Sequence, residues 1–270
     1  MTDPDQHADD LATAVTTTTT TTPSPAPAGN GRPSLPNAAA ITTAGTMIWV
    51  GLLWLAIAAV FGIVLGIVAG AGSTDHSLWQ HGFSGWQRFV PLAAGLSMTS
   101  TFAPMLVGNG VTRARVASAA TVTLVVVAVA GGLFIALGYG LEGLAFHTLG
   151  WRHELSGGRR LSGGGGLVRV GAAYAALFAC YFASGWLIGV ARGVLGREAF
   201  VPLVVPALLP AAVAELVLRR GVTGPPLAGR LGLDSLPQPP LTLGLLAALA
   251  ATALAALLAH VASRHITLPI

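Results

Sequence analysis

Few residues in this chain are suited to chemistry. The densest group is "VGNGVTRARV", Val107 to Val116. Two glycines bracket Asn109, then Thr112, Arg113 and Arg115 follow before the chain turns apolar again. Glycine permits a tight reversal at Gly110, and the Thr112 hydroxyl suits the N-cap of a following helix. Two fixed positive charges there can hold a helix end at the layer of anionic lipid phosphates.

Glu142 and Glu215 form a second group. Each lies near the end of an apolar run. A carboxylate at membrane depth is costly and points to transport or a proton relay, whereas one at a span end reaches headgroup water. Glu142 is thus a possible intramembrane polar site. His147, His153 and Glu154 raise a metal site, but their spacing is not His-Glu-x-x-His and no second acidic or cysteine ligand lies nearby. No metal is expected. Cys180 is the only cysteine, so an intrachain disulfide is impossible, and it reads as a small packed residue. There is no Gly-x-Ser-x-Gly, and "SGGGGL" lacks the Lys-Ser/Thr that completes a phosphate loop. The chain is read as non-enzymatic and without a cofactor.

The elements that must position these residues follow from composition. The sequence is 53% hydrophobic and 9% charged. Soluble domains carry about a quarter charged residues. Six apolar stretches approach or exceed the roughly 18 to 20 residues that cross a bilayer core. They run from about Met47 to Ala71, Phe89 to Val107, Val116 to Leu141, Leu167 to Ala191, Phe200 to Leu218 and Leu241 to Val261. Each must close its own backbone hydrogen bonds in lipid, so each is a helix. The expected fold is all-α, an integral membrane bundle of six transmembrane helices over residues 45–270. Residues 1–44, with seven consecutive threonines and "PSPAPAGNGRPSLP", have little to bury and read as a disordered tail. A cleaved signal peptide fits poorly, because the first apolar run is too long and no basic cluster precedes it.

Finer features follow the same logic. Gly62, Gly66 and Gly70, then Gly132, Ala136 and Gly140, then Gly185, Gly189 and Gly193 recur every fourth residue, which makes grooves for close helix packing. Pro202, Pro206 and Pro210 predict a bent or broken fifth span. Trp49, Trp54, Trp79, Trp86 and Trp151 are expected at headgroup depth. "HSLWQHGFSGWQRF" reads as a short helix lying on the membrane surface. All fourteen basic residues are arginine. With the wealth of Ala, Gly, Leu and Pro, this suggests a GC-rich, actinobacterial genome. The arginines are spread over short loops, six on one side and eight on the other, so charge alone does not set orientation. The same scatter argues against nucleic acid as a partner.

One resemblance adds to this reading. "FVPLAAGLSMTSTFAPMLVGNGVTRARV" resembles the second span and following loop of small actinobacterial membrane proteins related to ABC-type exporter permeases. That group ends its second span in a Gly-x-Thr-Arg-Arg turn. Gly110, Thr112 and Arg113 match it, Ala114 replaces the second arginine, and Arg115 follows one place later. "GYGLEGLAFHTLGW" and "YFASGWLIGVARGVLG" resemble its third and fourth spans. The resemblance implies a permease-like subunit, dimeric in the bilayer of the cell membrane, with both termini cytoplasmic. It implies that Gly110, Thr112, Arg113 and Arg115 form a cytoplasmic coupling loop toward a separate ATPase subunit. The alternative is a non-transporting accessory, immunity or scaffold protein of the membrane.

Overall fold

Helices account for nearly every residue that the computed structural model describes, which are 35–72, 74, 76–82, 86–152, 155, 163–199, 201–218 and 239–265. The threonine run, His153, Glu154, Arg159 and Arg160 fall outside them. We number the helices α1 (Leu35–Ala71), α2 (Leu78–Gly82), α3 (Phe89–Ser97), α4 (Ala103–Gly108), α5 (Arg113–Thr148), α6 (Gly163–Ala199), α7 (Val201–Ala207), α8 (Leu209–Val217) and α9 (Leu241–Ala262). A π-helical turn, Met98–Phe102, joins α3 to α4, and a 3₁₀ turn, Ser263–His265, ends the last helix. Residues 33–270 form one compact unit.

Five stretches are long and apolar enough to cross a membrane: α1, α3 through α4, α5, α6 and α9. The chain is a multi-pass, all-α membrane protein. The expected fifth span, over residues 201–217, is shorter and is interrupted at Leu208. The interruption is a one-residue irregularity: Leu208 stays in the αR region (φ −84°, ψ −6°), and its amide still donates to the Val204 carbonyl at 3.1 Å. Pro206 inside α7 and Pro210 at the start of α8 each remove a ladder donor, so the irregularity falls between them. The first helix begins at Leu35, about ten residues before the expected start. Its extra turns are held by Thr42 and Thr43, whose hydroxyls meet Thr123 of α5 at 3.2 and 3.0 Å.

Helix α6 is the centre. Its apolar window is 83% buried, against 17% for α1. Tyr174, Phe178, Phe182 and Trp186 are wholly buried along it. Lipid tails are as apolar as these side chains, so association rests on close packing rather than on escape from water. Small residues provide that closeness. A Cβ on Gly132 of α5 would collide with the Gly171 carbonyl oxygen of α6, and a Cβ on Gly171 would lie 3.2 Å from that of Ala136. Cβ atoms on Gly185 and Gly95 would strike the carbonyl oxygens of Leu92 and Phe182, so α3 lies backbone to backbone on α6. Two of the three small-residue stripes are therefore packing grooves. The Gly62, Gly66 and Gly70 stripe meets nothing within 4 Å.

These contacts also set direction. Along α1 and α5, Thr42 meets Thr123 and Trp54 stacks on Phe134, so the two helices run parallel. Along α5 and α6, Gly132 pairs with Gly171, and Gly140 with Leu167 at 3.5 Å, so these run antiparallel. Arg113 of α5 and Ser263 after α9 wall the same small cavity with Trp186. The start of α1, the loop at Asn109 and the end of α9 thus share one face of the bundle.

The π turn has a local cause. Pro104 cannot donate to the ladder, and its ring crowds the preceding turn. The register relaxes ahead of it, with the Ala103 amide donating to the Met98 carbonyl. Hydroxyls satisfy the loosened carbonyls: Ser97 donates to Ala94 at 2.7 Å, and Thr99 and Ser100 both donate to Leu96 at 3.1 Å.

Candidate functional site

Arg113 and Arg115 open the first turn of α5 on an exposed rim. Gly110 has φ +82°, a conformation that favours glycine, and it turns the chain out of α4. Thr112 is the N-cap of α5, with an extended backbone and its hydroxyl accepting from the Arg115 amide at 3.4 Å. The expected reversal and cap are both present. Gly110, Thr112, Arg113 and Arg115 are all brought to one tight loop. Val111 is 2% exposed and plugs it inward, packing with Leu106 and Val116. The loop is therefore seated on the ends of α4 and α5 rather than free of them.

Glu142 is not at headgroup water. It is wholly buried, and its carboxylate accepts from the Ser77 hydroxyl at 2.5 Å and the Trp79 amide at 2.8 Å. Ser77 in turn accepts from the Gln80 amide at 3.1 Å. Glu142 thus helps to cap the start of α2 across the bundle. Of the short surface helix expected over residues 76–89, the described residues before α3 form only α2, and one side of the segment packs into the bundle. Trp79, Gln80, Gln87 and Arg88 are all at most 5% exposed. Gly138 leaves the space that the Trp79 ring fills, and Phe61 meets that ring edge-on at 5.0 Å. Trp54, expected at headgroup depth, is also interior, stacked on Phe134 at 4.9 Å. Glu142→Leu leaves two buried donors unbonded, at about 1–3 kcal/mol each. Glu142→Gln keeps one acceptor and costs less. The expected order in thermal unfolding is wild type, then Gln, then Leu; equal midpoints for all three would refute the capping role.

The strongest polar contact was not paired by sequence. Arg88 and Glu215 form a salt bridge with side chains 6% and 3% exposed. The Tyr181 hydroxyl donates to the same Glu215 oxygen at 2.9 Å, and Phe89 meets the Tyr181 ring edge-on. Tyr181 stands midway along α6, so the cluster joins α3, α6 and α8 at the centre of the bundle. Beside it Gln87 is wholly buried, and neither polar atom of its side chain has a hydrogen-bond partner among the described residues. The Ser184 hydroxyl accepts from the Ala211 amide at 3.3 Å, which fixes the start of α8 one turn away.

The remaining candidates have structural roles. Cys180 is buried, with its thiol 3.3 Å from the Ala248 carbonyl and 3.1 Å from the Thr252 hydroxyl. It packs α6 on α9, as expected of a small residue. Among the described residues no three His, Cys, Asp or Glu side chains gather as a metal site. His153 and Glu154 lie outside them. Sequence reasoning singled out Glu215 but counted Arg88 as a loop arginine. The available signal was two opposite charges, each one residue or so from an apolar stretch; their meeting required the topology. Comparison with protein-family models, with curated proteins and with solved structures gives no match to this chain.

Proposed function

We propose that the chain is a permease-like membrane subunit of an ABC-type exporter, coupled to a separate ATPase subunit. The observation that carries this reading is the seated loop at Asn109, with Arg113 and Arg115 exposed at the first turn of α5. A cytosolic ATPase presenting carboxylates would find two charge-assisted contacts on a rigid helix end. Motion imposed there has a direct route inward. The loop is continuous with α4, the π turn and α3, and α3 lies on central α6 and is preceded by Arg88. A π turn is a common place for a helix to change register. In this reading the face that holds the loop and both described chain ends is cytosolic, and the bilayer is that of the cell. The subunit works as a dimer and hydrolyses nothing itself.

The test is affinity capture of the tagged chain from its own membranes, with ATP hydrolysis of the captured complex measured. Wild type is expected to bring down an ATP-hydrolysing subunit. Arg113→Ala with Arg115→Ala is expected to reduce that capture at least about tenfold, on loss of two charge-assisted contacts, with membrane insertion unchanged. Capture that hydrolyses no ATP would leave the second reading, a non-transporting accessory, immunity or scaffold protein. One observation favours that alternative. Glu142, Arg88 and Glu215 each hold helices together, which a static scaffold also requires.

A further inference from the structure

We propose that the groove between α1 and α3 binds one acyl chain of an anionic phospholipid, drawn from the leaflet on the Asn109 side. The groove has a volume of about 520 Å³. That lies in the range of sites that enclose small ligands. Leu53, Trp86 and Phe89 wall one end, and Thr46, Thr101 and Phe102 the other. The wall is apolar except for hydroxyls, and those gather at the Thr46 end.

Two further observations name the occupant. The first is Thr46 itself. It is 4% exposed, and its hydroxyl has no hydrogen-bond partner among the described residues. A buried hydroxyl left unbonded is unfavourable. An apolar tail alone would not satisfy it, but an ester or glycerol oxygen at the head of a lipid chain would. The depth is suitable. A Cβ on Gly45 would lie 3.1 Å from the Phe102 ring, so Thr46 is level with Phe102. Phe102 is six residues from Gly108 at the loop, or about 9 Å of helix rise. The hydroxyl end of the groove thus faces the loop, and the aromatic end faces the interior.

The second is charge. Arg113, Arg115, Arg192 and Arg264 are all exposed, and all belong to the face that holds the loop. Thr99 and Ala103 of the π turn and α4 line the small cavity with Arg113, while their neighbours Thr101 and Phe102 line the groove. The helical turn Thr99–Ala103 therefore borders both the cavity that Arg113 walls and the groove. Arginines near a membrane surface attract anionic headgroups over zwitterionic ones.

The experiment is native mass spectrometry of the full chain in neutral detergent. The chain is titrated with phosphatidylglycerol, with phosphatidylcholine of the same chains, and with inorganic phosphate. One retained phosphatidylglycerol is expected, preferred over phosphatidylcholine roughly tenfold. Ala93→Trp fills the groove, since Ala93 lines it and is exposed. It is expected to abolish retention. Thr46→Val is expected to weaken retention several-fold while leaving the lipid-free thermal midpoint unchanged or higher; it carries the test if Ala93→Trp fails to fold. Arg113→Gln with Arg115→Gln is expected to bring the two lipids level. Equal retention of both lipids by wild type would overturn the proposal. So would retention untouched by Ala93→Trp, displacement of the lipid by inorganic phosphate, or a dimer that Ala93→Trp converts to monomer with lipid unchanged. No ATPase is present, so the result is separate from the exporter reading.

Discussion

Glu215→Ala is expected to lower the unfolding free energy of the detergent-solubilised chain by about 3–5 kcal/mol, because it leaves the buried Arg88 guanidinium without its counter-charge. The magnitude follows from the asymmetry of buried ion pairs. Bringing both charges out of water costs several kcal/mol each, and their attraction roughly offsets that cost only while both are present. Arg88→Met with Glu215→Leu removes both charges and fills the same space. That double variant is expected to lie near wild type, or to exceed it by about 1–4 kcal/mol. Tyr181→Phe removes one hydrogen bond to Glu215 and is expected to cost about 1–2 kcal/mol. The measurements are thermal and denaturant unfolding followed by tryptophan fluorescence, arranged as a double-mutant cycle. A coupling energy below about 0.5 kcal/mol would mean that the two side chains are not in contact. The same variants bear on mechanism. A fixed strut is dispensable once its charges are gone, so the double variant would keep any export activity. A pair that must open and reclose during a cycle is not replaceable by apolar side chains, and the stable double variant would then be inactive.

The architecture was readable because its cause is local. An apolar run near 20 residues long with few charges has one solution in lipid, and α1, α5, α6 and α9 follow from it directly. The cap at Thr112 and the turn at Gly110 were readable for the same reason: both are decided within a few residues. The proline-spaced fifth span announced an irregular helix, and the irregularity falls at Leu208. What sequence could not carry was the meaning of polar residues at span ends. Arg88 and Glu142 occupy positions where a side chain reaches water if its helix ends at the membrane surface. Here Ser77, Trp79, Gln80, Gln87 and Arg88 pack into the bundle instead, and Arg88 and Glu142 are both buried. Nothing within residues 72–88 decides between these outcomes. The decision lies with Gly138, 50 or more residues away, whose missing side chain makes room for Trp79. Likewise Glu215 reads as a terminal carboxylate until its side chain is placed on that of Arg88, 127 positions away in sequence. Long-range packing assigned these groups, and short motifs do not encode it.

That dependence on packing leads to the second large effect, at Gly185. Its missing Cβ admits the Leu92 carbonyl, and Gly95 admits that of Phe182 in return. Both obstacles are backbone, which cannot rotate aside as a flexible side chain can. Gly185→Val is therefore expected to force α3 off α6 and to cost at least about 3 kcal/mol, the upper range for overpacked cores. Gly66→Ala, on α1 with nothing within 4 Å, is the matched control. It is expected to be neutral or to gain up to about 1 kcal/mol from helix propensity. The informative experiment combines sites. Arg88 precedes α3, so a displaced α3 takes the guanidinium away from Glu215. Glu215→Ala added to the milder Gly185→Ala should then cost less than Glu215→Ala alone, because the pair is already parted. A sub-additive result places the helix crossing and the ion pair in one mechanical unit that reaches from the centre of α6 to the loop at Asn109. Strict additivity would separate them, since sites that share no displacement add. The loop would then have no route through α3 to the buried charges, and coupling from Arg113 would have to travel along α5 instead.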